Sequence, residues 1–327
     1  MATVGVTVGV VIVVFVIVAV AGVSRLFGLG FGVVEDVAEP EPTPRAGVSL
    51  YAATDSNAAR AAQTDARFEG LAAIPQARWL SDWTTVDNVE QAVADYVGAA
   101  SAVAEIPALV LYKIPDRDCG LYAAGGLADA DEYVSWVDAV VRGLSGAGEV
   151  IVIVEPDALA MASQCEDEEG REALIADAVH RLSSTSATIY IDAGHSDWLD
   201  PDEMARRLMR AGVAEAQGFS TNVSNFQNTD DEIRYAEAVR AALESLGVSD
   251  AHYVIDTSRN GSPVPAGDVC NPPDARVGDL PQLFTGTALD GFLWVKAPGE
   301  PDGPCNGAPI GQFFWPEGAL QLLGFYD

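Results

Sequence analysis

Short apolar runs rich in β-branched residues recur along this chain, and each is followed by a stretch with helical periodicity. That alternation is the strongest constraint on the fold, because strand and helix in strict succession build parallel βαβ units. Clear runs lie at residues 108–112, 150–154, 188–191, 218–220, 253–255 and 291–295, with a weaker one at 77–80. Helical patterns lie at 55–71, 86–104, 129–144, 167–182, 201–211, 229–246 and 316–323. Pro201 and Pro316 suit first-turn positions, where a missing N–H costs nothing. Seven strands predict an α/β fold, a distorted parallel β/α barrel in a single domain. An open doubly wound sheet is the alternative. No internal repeat is present, and Gly28 and Gly30 lack the flanking strand and helix of a phosphate loop.

Composition narrows the class further. The chain has 327 residues, 49% hydrophobic and 20% charged, enough for a sizeable core. Lys+Arg is 18 against Asp+Glu 48, a net charge of −30. Such a charge repels phosphate backbones and anionic membrane surfaces, so no nucleic-acid partner is expected. Lys113 and Lys296 are the only lysines. Salt adaptation or a biased genome composition would each produce this balance.

No charged residue precedes Arg25, and residues 4–23 are almost wholly apolar. That is about 20 residues, the length of one membrane span. The same stretch holds Ala19 and Ala21 in an A-x-A-like cleavage signal. The expected organisation is a signal peptide or membrane anchor at 1–24, an acidic Pro-rich linker at 25–47, and the folded domain at 48–327. Either reading of the amino terminus exports the remainder, secreted or anchored to the outer face of the cell membrane. The four cysteines, Cys119, Cys165, Cys270 and Cys305, allow three pairings. With no C-x-x-C spacing and only three histidines, neither a metal site nor a cofactor is expected. In an oxidising compartment two disulfides are expected instead.

In a parallel barrel, ligands are handled at the carboxyl ends of the strands. Here those ends are polar and mostly acidic. They carry Asp116, Arg117 and Asp118, then Glu155 and Asp157, then Asp192 and His195, then Asn222, then Asp256 and Arg259, then Lys296, Glu300 and Asp302. One acid after a strand is usually a cap or turn residue. Five such ends suit acid–base work on a neutral substrate, and glycosides need two carboxyl groups around one bond. Trp79, Trp83 and Trp198 lie near the same loops and are candidates for stacking on sugar rings.

Six motifs in order carry a resemblance: LYKIPDRDC at 111–119, VEPD at 154–157, IDAGH at 191–195, TNVSN at 221–225, IDTSRNG at 255–261 and WVKAPGE at 294–300. Together they resemble glycoside hydrolase family 6, the β-1,4-glucanases comprising endoglucanases and cellobiohydrolases. The likeness runs from about Ser49 to the end of the chain, making 48–327 a catalytic domain. The resemblance implies a seven-stranded distorted barrel and inversion at the anomeric carbon. It implies Asp157 as general acid, Asp118 as the carboxylate that raises the pKa of Asp157 and manages the water proton, and Asp302 at the proposed base position. Tyr112 would press on the sugar at the cleavage point. Asp192, His195, Asn222, Lys296 and Glu300 would hold hydroxyls, Trp79 and Trp198 would stack, and Arg117 would bond near Asp118 and favour its ionised form. The resemblance also implies the pairing Cys119–Cys165 and Cys270–Cys305.

Two positions depart from the family. Ala124 stands where serine usually seats the attacking water, and Val269 where tryptophan often stacks. The expected activity is an exported, monomeric β-1,4-glucan endohydrolase acting on cellulose or a related polysaccharide. The alternatives are a chain-end cellobiohydrolase and a surface glucan-binding protein with weakened catalysis. A calcium-binding surface protein is a weaker rival, because no EF-hand spacing occurs.

Overall fold

Side-chain parity along the strands of this computed structural model separates two cores. The structure describes residues 41–325 except Tyr122 and Ala266. The expected signal or anchor at 1–24 and most of the linker therefore lie outside the described residues. The strands are β1 (Thr43–Pro44), β2 (Arg78–Leu80), β3 (Ala108–Leu111), β4 (Val150–Val154), β5 (Ala187–Asp192), β6 (Gly218–Thr221), β7 (His252–Asp256), β8 (Gln282–Thr285) and β9 (Leu289–Leu293). The helices are α1 (Asn57–Ala62), α2 (Glu69–Ala72), α3 (Val89–Ala102), α4 (Ala130–Gly143), α5 (Glu168–Leu182), α6 (Pro201–Arg210), α7 (Thr229–Ser245) and α8 (Pro316–Leu322). In β4 the residues Val150, Val152 and Val154 pack outward against helices, while Ile151 and Ile153 pack inward. Likewise Leu109 and Leu111 face outward and Ala108 and Val110 inward. Apolar residues on both faces make each strand read as a continuous run, as expected where helices cover the outside.

The sheet runs β1-β8-β9-β7-β6-β5-β4-β3-β2, and all neighbours from β9 through β7 to β2 are parallel. These are the seven parallel strands of the distorted barrel expected from sequence. The barrel almost closes: the N–H of Ala77, just before β2, donates to the carbonyl of Trp294, just after β9, at 3.0 Å. The indole of Trp79 adds a second link to the carbonyl of Val295 at 2.8 Å.

Three details differ from the sequence reading. The helix expected over 55–71 is broken, because Asp65 caps a new turn by accepting from the N–H of Arg67. Strands β1 and β8 were not anticipated; β8 pairs antiparallel with both β1 and β9. They are short edge pieces, two and four residues long, without the length to make a pattern. The last parallel strand also begins earlier than 291, at Leu289. Elsewhere capping explains the helix starts: Asp129, Asp167, Asp200 and Asn228 each accept from a first-turn N–H. Among the described residues no helix is long and apolar enough to cross a membrane.

Candidate active site

The acids at the strand ends divide into two sets with different work. One set is buried and braces neighbouring strands. Glu155, after β4, accepts from the N–H groups of Lys113 and Ile114 beyond β3 at 3.1 Å, and from the Tyr133 hydroxyl at 2.9 Å. Asp192, the last residue of β5, accepts from the N–H of Asp157 at 2.9 Å and of Gly194 at 3.0 Å. Asp256, the last of β7, accepts from the N–H groups of Ser224, Ser258, Val295 and Lys296 at 2.9–3.2 Å. Each brace satisfies loop amides that would otherwise be orphaned at the end of a strand. Several of these loop residues hold left-handed backbone: Asp118, Glu155, Asp157, Asn222 and Ser224 have φ between 47° and 67°. Strain of this kind persists only where surrounding bonds over-determine it.

The second set lies at the barrel mouth, although Asp118 is itself buried. Asp157 is half-buried. Burial, followed by the charges of Asp192, Asp118 and Asp302, pushes its carboxyl well above the ordinary carboxylate range, with Lys296 pulling the other way. Burial also raises Asp192, to about 7. Asp118 accepts from the Tyr112 hydroxyl at 3.2 Å and from the N–H of Ala123 at 2.8 Å. Tyr112 lies two residues beyond inward-facing Val110, so strand parity turns it into the mouth. There its ring meets Trp79 edge-on, centroids 5.0 Å apart.

Asp302 takes Arg259 at 2.8 Å on both oxygens, the N–H of Asn271 at 3.0 Å, and Lys296 at 3.9 Å. Glu300 accepts from the Asn57 amide at 2.6 Å. His195 accepts on Nδ1 from the N–H of Asp197 at 3.2 Å, which leaves Nε2 carrying the proton. Burial lowers its pKa to about 4, so the ring is neutral. It leans on Trp198 with centroids 5.2 Å apart.

Two expected substrate contacts are placed differently. Asp192 is 1% exposed, and its carboxylate accepts from the N–H groups of Asp157 and Gly194. Asn222 is fully buried; its amide bonds the carbonyls of Gln227 and Asp256, and its oxygen accepts from Gln227. Arg117 bonds Asp82 and the carbonyls of Tyr112 and Ala123, so its link to Asp118 runs through residue 123. Ala124 and Val269 are both exposed. The bridges Cys119–Cys165 and Cys270–Cys305 are present, with Cα separations of 5.0 and 6.2 Å. Among the described residues no group of three or more His, Cys, Asp or Glu side chains is placed to hold a metal ion.

Asp82, Asn57 and the bracing role of Glu155 and Asp256 carried no signal in the sequence. Asp82 and Asn57 meet their partners across 35 and 243 residues, a distance no local pattern spans. Glu155 and Asp256 stand in recognisable strand-end motifs, but only their bonds to loop N–H groups mark them as braces.

The family model for glycosyl hydrolases family 6 matches residues 42–313. Endoglucanase A of Cellulomonas fimi is 40% identical over 285 residues, covering 86% of this chain but 62% of that protein. Endoglucanase 1 of Streptomyces halstedii is 36% identical, covering 86% and 88%. The solved endoglucanase Cel6 of Mycobacterium tuberculosis, in complex with methyl-cellobiosyl-4-deoxy-4-thio-β-D-cellobioside, is 42% identical with a TM-score of 0.80, covering 86% and 98%. Family match, fold and ordered strand-end motifs agree, and this chain belongs to glycosyl hydrolases family 6.

Proposed function

We propose that this chain is an exported hydrolase of β-1,4-glucans that cuts within the chain and inverts the anomeric carbon. The observation that carries the reading is the pair Asp157 and Asp118 at one barrel mouth, one carboxyl raised by burial and the other held by two donors. Protonated Asp157 donates to the glycosidic oxygen as the bond to the anomeric carbon breaks. A water attacks from the opposite face, and its proton passes to a carboxylate, with Asp118 and Asp302 the two available. Trp79, Tyr112 and Trp198 supply aromatic faces beside these acids. Neutral His195, Lys296 and Glu300 supply hydroxyl contacts. Two disulfides support an oxidising compartment.

The short mouth segments support internal cutting. The segment between Asp157 and α5, which starts at Glu168, holds one 3-10 turn at Ala162–Gln164, and β8 starts at Gln282, soon after the Cys270 bridge. Neither is long enough to roof a tunnel. The test is product analysis on carboxymethyl cellulose and a soluble β-glucan. Viscosity is expected to fall while few reducing ends appear, and fresh product is expected as the α-anomer by proton NMR. Cellobiose from the first minutes would mean a chain-end enzyme; early β-anomer would mean retention.

A further inference from the structure

The turn after β2 carries an acid that no strand-end motif marks, Asp82. Its two oxygens take the Arg117 guanidinium at 3.2 and 3.0 Å, and the Lys113 ammonium lies 3.6 Å away. The Asp82 side chain is 63% exposed, whereas those of Lys113 and Arg117 are 7% and 5% exposed. A surface ion pair is ordinarily worth little. Here one open carboxylate compensates two buried cations, and removing it would leave buried charge unpaired. Glu155, whose carboxyl also feels the Arg117 charge, is already committed to Lys113, Ile114 and Tyr133.

Arg117 passes the constraint on. Its Nε donates to the carbonyl of Ala123 at 2.7 Å and its Nη1 to that of Tyr112 at 2.8 Å. Its guanidinium lies 4.4 Å from the centre of the Tyr112 ring. Gly125 leaves room for it, since a Cβ there would stand 2.6 Å from Nη2. Residues 112 and 123 are also the two donors to Asp118, through the Tyr112 hydroxyl and the Ala123 N–H. Both hydrogen bonds that orient Asp118 therefore come from residues that Arg117 holds, and Arg117 is aimed by Asp82.

We propose that Asp82 is a positioning residue for the carboxylate of Asp118, acting through Arg117. The kinetic part rests on the glucanase reading above; the tether itself does not. Asp82→Asn and Asp82→Glu proteins are compared with wild type in kcat, KM, Tm and peptide-level hydrogen exchange. Asp82→Asn is expected to lose about ten-fold in kcat with KM within about two-fold, because misplacement of a catalytic group costs rate rather than binding. Asp82→Glu, with its carboxylate retained on an exposed stem, is expected to recover most of that loss. Peptides covering residues 117–126 should exchange faster in Asp82→Asn while those covering β5 stay unchanged. Unchanged exchange at 117–126, unchanged kcat, or a loss that only follows a general fall in Tm and a rise in exchange everywhere would overturn the proposal. If wild type does not cleave β-1,4-glucan, the functional reading fails, and exchange at 117–126 alone decides the tether.

Discussion

The carboxyl of Asp157 is pushed well above the ordinary carboxylate range by burial and by three neighbouring carboxyls, while its backbone N–H donates to one of them, Asp192. Asp157→Ala is expected to abolish cleavage of unactivated cellulose, because the leaving oxygen then lacks a proton donor. Substrates with strongly acidic leaving groups should retain turnover. Near-normal cellulose hydrolysis by this variant would sink the assignment. The same burial has a stability consequence. An unfolded aspartate releases its proton near pH ~4. Folded Asp192 holds it to about 7 and Asp157 well above the ordinary range, with Glu155, Glu232 and Asp256 also raised by burial. Between those limits the native state binds more protons than the unfolded chain, so stability falls as pH rises through this window. Asp82 and Glu203, lowered by arginine partners, act oppositely but only near and below their unfolded pKa. His195, lowered to about 4 by burial, acts oppositely up to its unfolded value of ~6.5, one group against the five raised acids. The urea midpoint is expected to be higher at pH ~5.5 than at pH ~7.5; the reverse order would contradict the burial of these acids. The strand-end acids were legible as residues, but Asp192 and Asn222 read as substrate ligands. Only depth and hydrogen-bond partners distinguish them from Asp157.

The elements follow the residue pattern closely wherever both faces are covered. Strand β4 has all five residues buried, and its boundaries agree with the apolar run. Where side chains compete with the backbone, as at Asp65, one helical pattern becomes separate pieces. The loops that carry the acids are tied by covalent bonds as well as by braces. Cys119 is adjacent to Asp118, and the second bridge encloses Asp302 between Cys270 and Cys305. The bridged partners are 46 and 35 residues apart in sequence. Removing either bridge by paired Cys→Ser substitution is expected to lower stability by ~2–4 kcal/mol. The Cys119/Cys165 double variant should also lose activity below its unfolding temperature, because Asp118 is then held by hydrogen bonds alone. Unchanged kcat in that variant would show that the braces suffice.

At the scale of the whole molecule, the net charge of −30 sets a self-repulsion that no single contact relieves. Exposed pairs such as Arg142–Glu90 and Arg45–Glu149 return little and are weakened by salt. The repulsion is long-ranged and is weakened more, as the screening length shrinks from ~8 Å at physiological salt to ~3 Å at 1 M. Tm is therefore expected to rise by ~3 °C or more in 1 M NaCl, the equivalent of about 1 kcal/mol for a domain of this class. A Tm that falls with salt would mean that local pairs outweigh the repulsion. Unlike β1 and β8, the fold class, the seven parallel strands and the gathering of acids after those strands were carried by the sequence itself. They depend on local periodicity and on the handedness of βαβ units, which each segment carries with it. The division of those acids into braces and cleft groups was decided only by the tertiary structure. So was the reach of Asp82 to Lys113 and Arg117, and of Asn57 to Glu300. Burial and charge compensation arise between residues far apart in the chain, and neither has a value until the barrel has formed.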